Sequence, residues 1–315
     1  MTLFPEGTVV FAKSGMSCMT GNVYVLPEPC YVVSHLACVI PVGDYAVYLK
    51  HYFRSNRPSK LVENPSFPSI RLSKIQNMEL EIPVRSEMEK QVRSLEHIES
   101  LIEWSKEQIA MLDTLVKSRF VEMFGDPTAP GDRWPVSRLD GFTKIITGNT
   151  PPRKHAEYYG DGIEWVKTDN IVDSAITAAS ERLTEIGRSK ARVAPTGSIL
   201  MACIAGSVKS IGKVGLLDRE VAFNQQINAI VPMDIADSRY LLTMFTVSKN
   251  YLCSDVNQQL KGILNKSSLS SKQFPLPPLA LQQEFASFVA EVDKSRFNLL
   301  KAYGSIIALF RVLFP

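Results

Sequence analysis

The side chains best equipped for chemistry in this chain are amides, hydroxyls and cations set in polar loops. Lys144-Ile145-Ile146-Thr147-Gly148-Asn149-Thr150-Pro151-Pro152-Arg153-Lys154 is shaped by Gly and Pro and carries hydroxyls, an amide and basic residues. Tyr158 to Asn170 follows, with aromatics ahead of an apolar run and polar groups behind it. Lys209 and Lys213 flank a turn containing Gly212, Asn224-Gln225-Gln226 sets amides in a row, and Lys261 to Ser268 adds a further basic, hydroxyl-rich loop. Lysine and arginine hold phosphates as charges, whereas Asn and Gln can pair two-pronged with an adenine edge. One such loop is an ordinary solvated turn. Several in one stretch, with cations interleaved among amides, read as a surface that grips a polyanion and inspects it. On this reading Lys144, Arg153, Lys154, Lys209, Lys213 and Lys266 hold phosphates, while Asn149, Thr150, Asn224, Gln225 and Gln226 lie near base edges.

A catalytic reading finds little support. There is no GxGxxG, P-loop, HExxH or GxSxG pattern. His35, His51, His97 and His155 are scattered, and Cys18, Cys30, Cys38, Cys203 and Cys253 form no CxxC pair. An odd cysteine count without paired spacing argues against a disulfide framework and fits a reducing, cytoplasmic setting. Cys30, His35 and Cys38 lie in an apolar, strand-like run and read as core rather than as metal ligands. Asn64-Pro65-Ser66-Phe67 resembles the Asn-Pro-Pro-Phe motif with which amino-group DNA methyltransferases hold a flipped adenine. One Pro is missing, and no Gly-rich turn for S-adenosylmethionine precedes it. The chain therefore reads as non-catalytic, with no cofactor of its own. Its 45% hydrophobic and 21% charged content is that of a globular protein, and the net charge of +3 means that any basic face is offset elsewhere. No apolar stretch approaches the ~20 residues of a membrane span.

The elements that must position these loops come in two copies. Pro5-Glu6-Gly7-Thr8-Val9-Val10-Phe11-Ala12 matches Pro195-Thr196-Gly197-Ser198-Ile199-Leu200-Met201-Ala202. Tyr31 to Pro41 lies over Ala222 to Pro232, and Leu80-Glu81-Ile82-Pro83 over Phe274-Pro275-Leu276-Pro277. Each copy opens into a long helical pattern. Arg85 to Phe124 contains no Gly or Pro, and Met88, Val92, Leu95, Ile102, Ile109, Leu112, Val116 and Met123 recur at three and four. At ~1.5 Å per residue this is a rod of roughly 60 Å, ended by Gly125-Asp126-Pro127. Leu281, Phe285, Phe288, Val292, Leu299, Tyr303, Ile306 and Phe310 repeat the spacing from Leu279 onward. Two such seams in one chain are expected to pack as an antiparallel coiled coil. Between them Ile163–Val166, Ser198–Ala202, Val214–Leu217 and Ile227–Val231 read as strands, and Arg239–Tyr251 as a helix. The expected fold is α+β: a duplicated mixed α/β globular domain plus two long helices. Trp134 stands far ahead of Pro195, whereas Pro5 stands four residues from Met1. The first copy is therefore expected to be an N-terminally shortened domain, or one whose missing portion is supplied in trans.

Taken in order, these segments resemble the DNA-specificity subunits of Type I restriction–modification systems. The resemblance rests on Thr147-Gly148-Asn149-Thr150-Pro151, on the Tyr-Tyr-Gly-x-Gly-Ile-x-Trp-Val run from Tyr158 to Val166, and on Phe223-Asn224-Gln225-Gln226. It is strengthened by Phe274-Pro275-Leu276-Pro277-Pro278-Leu279-Ala280-Leu281-Gln282-Gln283-Glu284-Phe285, by Val292-Asp293-Lys294-Ser295, and by the exit Arg119 to Asp126. It implies two target-recognition domains that each read half of a split target, and helices that space them and bind two modification (methyltransferase) subunits. A restriction subunit can join. By this resemblance residues 1–82 are a partial first recognition domain, 83–125 the central helix, 126–133 a linker, 134–276 a complete second recognition domain and 277–315 the C-terminal helix. Double-stranded DNA is then the ligand, and S-adenosylmethionine belongs to the modification subunit. The competing expectations are a half-type subunit that pairs with a second copy, a fragment of an adenine DNA methyltransferase centred on Asn64 to Phe67, and a scaffold that binds no DNA.

Overall fold

The computed structural model describes residues 2–80, 82–129, 131–172, 174–204, 210–254 and 263–313. It divides into two compact units, residues 1–109 with 297–315, and residues 110–296. The boundary cuts each long helix, so each unit owns part of both rods.

The first unit contains β1 (Leu3–Phe4), β2 (Val9–Ala12), β3 (Val23–Val25), β4 (Cys30–Tyr31), β5 (Leu36–Val39), α1 (Ala46–Ser55), α2 (Leu72–Gln76) and the start of α3 (Arg85–Phe124). β2 lies between β3 and β5, antiparallel to both, while β1 and β4 form a separate antiparallel pair. Val9, Phe11 and Val23 pack against Tyr48, Leu49 and Phe53 of α1, and Met88 of α3 joins them. Met88 and the half-buried Val92 thus serve this core, where the sequence pattern had assigned them to a helix–helix seam. Leu95 is buried, and Ile102, Ile109, Leu299 and Ile306 are half-buried. His51 is buried beside Glu99. Loss of hydration outweighs the attraction of that carboxylate and pushes the imidazole down to about 4.

The second unit adds β6 (Val136–Arg138), β7 (Thr143–Thr147), β8 (Tyr159–Val166), β9 (Ile171–Val172), β10 (Ser174–Ile176), β11 (Arg182–Leu183), α4 (Glu185–Lys190), β12 (Val193–Ala194), β13 (Ile199–Ala202), β14 (Val214–Leu216), β15 (Val221–Phe223) and β16 (Ile227–Pro232). α5 (Ser238–Val247), α6 (Lys249–Leu252), α7 (Lys266–Ser271), β17 (Gln273–Pro275) and α8 (Leu279–Leu313) complete it. One sheet runs in the order β7-β16-β13-β14-β10-β9 and a second in the order β11-β8-β15-β12. β13 reads as an unbroken apolar run because both its faces are covered. Ile199 and Met201 join the cluster holding Phe120, Phe142, Tyr240, Phe245 and Phe285. Leu200 and Ala202 face the other way, into the cluster of Val166, Val221 and Phe223 from the second sheet. The helix expected over Arg239–Tyr251 is two helices, broken at the buried Ser248. Tyr159, expected ahead of a strand, lies inside β8.

Within this unit the two rods run antiparallel. Asp113 pairs with Arg296, and Arg119 lies 3.8 Å from Glu284 and over the Phe288 ring, so positions rise on α3 as they fall on α8. Phe285 packs edge-on to Phe120 and Phe124 at 5.5 and 5.6 Å. Val292 is buried, and Leu112, Val116, Leu281 and Phe288 are half-buried along the same seam. Gly125, at φ +82°, ends α3 by donating to Val121 O (2.8 Å), and Trp134 Nε1 caps Phe124 O (3.0 Å). Gln282, fully buried at the start of α8, donates to Pro277 O and Ile235 O and accepts from Asp237 N, which accounts for the amide in that motif.

The duplication is present bond for bond. Thr8 Oγ1 and Ser198 Oγ each donate to the carbonyl of the Pro three residues before, at 2.7 Å in both. Gly7 and Gly197 have φ of +80° and +82°, and donate to Leu26 O and Leu217 O. β3-β2-β5 repeats as β14-β13-β16, and the β1–β4 pair repeats as β12–β15. Lys13 N to His35 O recurs as Cys203 N to Gln226 O, and Ile70 N to Lys13 O as Leu264 N to Cys203 O. The expected repeat is thus a repeat of backbone geometry.

Candidate nucleic-acid interface

Strand register brings the polar loops of the second unit together. Thr147 opposes Asn228, Ala202 opposes Ile227, and Met201 opposes Val214. The end of β7, the start of β16, the end of β13 and the start of β14 therefore share one end of the large sheet. Gly148 N donates to Ile227 O (3.1 Å) and Asn149 N to Phe223 O (3.1 Å), tying the Thr-Gly-Asn-Thr-Pro loop to the amide triplet. Gln226 O accepts from both Cys203 N and Ile204 N, and Cys203 O accepts from Leu264 N, which carries the Lys266 loop to the same end. Asn224 N donates to Val166 O (3.0 Å), bringing in Lys167 to Asn170 from the smaller sheet. A relay running inward from the exposed Thr147 locks this end: Thr147 Oγ1 donates to Asn228 Oδ1 (2.7 Å), and the buried Asn228 donates through Nδ2 to Cys203 Sγ (3.2 Å). Burial holds the Cys203 thiol up at about 12, so it stays protonated.

The sequence-predicted residues fall into distinct groups. Lys144, Lys154, Lys213 and Lys266 are exposed and make no ion pair among the described residues. Lys144 lies three residues before Thr147, about 10 Å along the strand. Lys209 lies outside the described residues. Arg153 is exposed but engaged by the protein's own groups, 2.7 Å from Glu181 and over the rings of Tyr159 and Trp165 at 4.5 and 5.0 Å. Lys167 also pairs with Glu181, and its hydrogen bond, followed by that of Arg153, keeps the carboxyl below its ordinary range. Asn149 has both ends of its amide engaged, donating to Lys190 O (2.8 Å) and accepting from Arg192 N (2.6 Å). The buried Asn224 accepts from Gln226 N and donates to Gln226 Oε1 (3.0 Å). Gln225 is exposed and receives the Thr150 hydroxyl on its Oε1, which leaves its NH2 group facing outward.

Some supporting residues carry no sequence signal of their own. Lys190 and Arg192 add exposed cations beside Asn149. Glu164 takes a two-pronged contact from Arg219 (3.1 and 2.8 Å) and the Ala179 N–H (2.9 Å), binding the small sheet to the β10 side of the large one. The Arg219 fork, against the cost of burial, keeps the Glu164 carboxyl below its usual range. Nothing in the spacing of Glu164 and Arg219 marks this pair. The glycines do carry a signal. A Cβ at Gly148 would lie 2.2 Å from Asn224 O, one at Gly162 2.1 Å from Leu183 O, and one at Gly187 2.0 Å from Tyr158 O. Gly148 and Gly162 stand in the motifs that mark this domain, because backbone passes too close there for any other residue.

In the first unit, Asn64 to Phe67 is an exposed turn in which Asn64 Oδ1 accepts from Ser66 N (3.0 Å) and Asn64 O from Phe67 N. Turn chemistry accounts for that sequence. Among the described residues no group of three or more His, Cys, Asp or Glu is placed to hold a metal, and no helix is long and apolar enough to cross a membrane.

Comparison with known proteins places this architecture. The family described as Type I restriction modification DNA specificity domain matches residues 2–113 and 131–304. The Type I restriction enzyme MjaIX specificity subunit of Methanocaldococcus jannaschii is 21% identical over 95% of this chain and 73% of its own length. The HindI specificity subunit of Haemophilus influenzae is 30% identical over 111 residues, 34% of this chain and only 23% of that subunit. Among solved structures, the S subunit of a Type I restriction–modification system from M. genitalium shares the fold with a TM-score of 0.56 at 14% identity, over the whole of this chain and 84% of that one. A chain from a study of complex assembly and conformational transition of the type I R-M system gives 0.59 at 18% identity, covering 99% of this chain and 82% of that one. The chain belongs to the Type I restriction–modification DNA-specificity family.

Proposed function

We propose that the chain is the non-catalytic specificity subunit of a Type I restriction–modification complex, and that the loop end of its second unit reads one half of a split duplex target. The observation that carries this is the convergence of the Gly148–Lys154, Lys167–Asn170, Asn224–Gln226 and Leu264–Lys266 segments on one end of the sheet. Exposed Gln225 and the exposed Lys154, Lys213 and Lys266, which make no ion pair among the described residues, lie on that end. Gln225 and Gln226 present NH2 groups to base edges, with Thr150 orienting Gln225. Asn149 and Asn224 shape the loops, because their amides are engaged within the protein. Arg153 acts through Glu181 and Trp165 to brace the loop it belongs to. Lys144, Lys154, Lys213 and Lys266 supply sequence-independent phosphate contacts.

Methyl transfer and strand cleavage would reside on modification and restriction subunits docked to the long helices. S-adenosylmethionine would sit on the modification subunit. The test is duplex binding by the assembled subunits across a salt series. Each of these lysines changed to Ala should lower the slope by about one and weaken all sequences alike. Gln225→Ala should cost ~1–3 kcal/mol on one base pair only. Slopes that did not move for any of the lysines would reject this face.

A further inference from the structure

The turn that joins β15 to β16 decides what one of its glutamines can recognise, a point that rests on the proposed reading of a half-site and narrows it to a base. Ile227 N donates to Asn224 O (3.1 Å), which sets Gln225 and Gln226 at the tip of a closed turn. Neighbouring segments hold that turn in place. Asn224 N donates to Val166 O (3.0 Å), Asn149 N to Phe223 O (3.1 Å) and Gly148 N to Ile227 O (3.1 Å), while Gln226 O takes both Cys203 N and Ile204 N.

A glutamine in a loop ordinarily presents either end of its amide, because a half-turn about its last bond exchanges oxygen and NH2. Gln226 has lost that choice. Its backbone N–H, which can only donate, is directed at Asn224 Oδ1 (3.2 Å). This identifies the Asn224 oxygen and turns Asn224 Nδ2 toward Gln226, where it donates to Oε1 (3.0 Å). Asn224 is buried, so a half-turn of Gln226 would set donor against donor away from water. The Gln226 carbonyl is therefore drawn to the protein, and the NH2 of this half-buried side chain makes no hydrogen bond among the described residues. Gln225 meets the Thr150 hydroxyl, a group that can either donate or accept, so only Gln226 has its polarity set by a backbone N–H.

An outward NH2 with its own oxygen withdrawn discriminates among the base edges of the major groove. Guanine offers N7 and O6, acceptors side by side. Adenine sets an amino group beside its N7, cytosine offers an amino group, and thymine offers O4 beside a methyl. We propose that Gln226 reads a guanine of the half-site, its NH2 donating to N7 and O6, with Asn224 as the residue that positions it. The two-pronged adenine contact belongs to a glutamine whose oxygen is free to face the base, which this one is not. Because the donor is held before DNA arrives, little side-chain freedom is lost on contact.

The test is selection by the assembled subunits from duplexes of randomised sequence, followed by replacement of each guanine of the selected half-site with 7-deazaguanine, which lacks the N7 acceptor. The intact protein should select a half-site containing a guanine at which the analogue weakens binding about tenfold. At that position the analogue should cost Gln226→Ala nothing. Gln226→Glu keeps an oxygen for Asn224 Nδ2 and turns the outward donor into an acceptor. Selection should then change that guanine to cytosine, whose amino group donates. A half-site without guanine, an equal loss with 7-deazaguanine in the intact protein and Gln226→Ala, or a guanine preference retained by Gln226→Glu would overturn this inference and leave target reading standing. No selected motif at all would overturn target reading, and this inference with it.

Discussion

The two units share a hydrogen-bond frame and differ in what lies over it. In both, a Pro-x-Gly-hydroxyl turn launches a central strand flanked by two antiparallel neighbours. In the second unit, residues 136–190 wrap that frame on its far face, and three of its glycines let backbone approach where a Cβ would clash. Gly15, in the first unit's own loop after β2, has no atom within 4 Å of its would-be Cβ. The frame is thus a local, repeatable structure, whereas the polar end that suits DNA depends on the added layer. A recognition surface here is built onto the frame and is not a property of it.

This contrast can be broken at several points. The largest effect is expected at the glycines: Gly148→Ala should cost roughly 3 kcal/mol and abolish duplex binding. Gly15→Ala pays only for its positive φ, about 1 kcal/mol. Thermal melting of the full chain separates them, and equal losses would show that loop crowding is not what distinguishes the units. Acid should act next, and on the first unit. The buried His51 is neutral when folded and gains its proton on unfolding near pH 6.5, so its contribution is present above that pH and declines as pH falls toward 4. The loss is on the order of 2–3 kcal/mol. His51→Gln should flatten that decline, read by hydrogen exchange of β2 and α1 against β13 and α5. In the second unit, Glu164→Gln should cost about 2 kcal/mol by leaving Arg219 half-paired at a partly buried site. The Glu164 carboxyl lies below its ordinary range when folded, so this contribution is full above the unfolded carboxylate pKa and fades as pH falls through the lower, folded value. The smallest expected change is in the salt slope of DNA binding, about one per lysine for Lys154, Lys213 or Lys266.

Much of the frame was legible in the chain. The match of Pro5–Ala12 to Pro195–Ala202 fell on β2 and β13, and the gap-free run from Arg85 to Phe124 is α3 to the residue. Gly148 read only as part of a Gly- and Pro-shaped loop, and its close approach to Asn224 O emerges in the fold. What the sequence could not carry was how each polar side chain spends its hydrogen bonds. Asn149 and Gln225 look alike as amides in a loop, yet Lys190 and Arg192, some forty residues on, engage the first and leave the second outward. Arg153 looked like a free cation until Glu181 and Trp165 folded beside it. Such assignments depend on long-range contacts that no periodicity records. Met88 and Val92 kept a helical spacing that suits either a partner helix or the α1 core, and only packing separates the two.

The central claim is that the loop end of the second unit reads a half-site. A base-resolution map of N6-methyladenine in the source cell, made with the intact gene, without it, and with Gln225→Ala, tests it most directly. The account predicts a split motif that vanishes without the gene and whose requirement at a single base pair, in one half only, relaxes in the variant. A methylation pattern unchanged by loss of the gene, or a Gln225→Ala map identical to that of the intact gene, would contradict it.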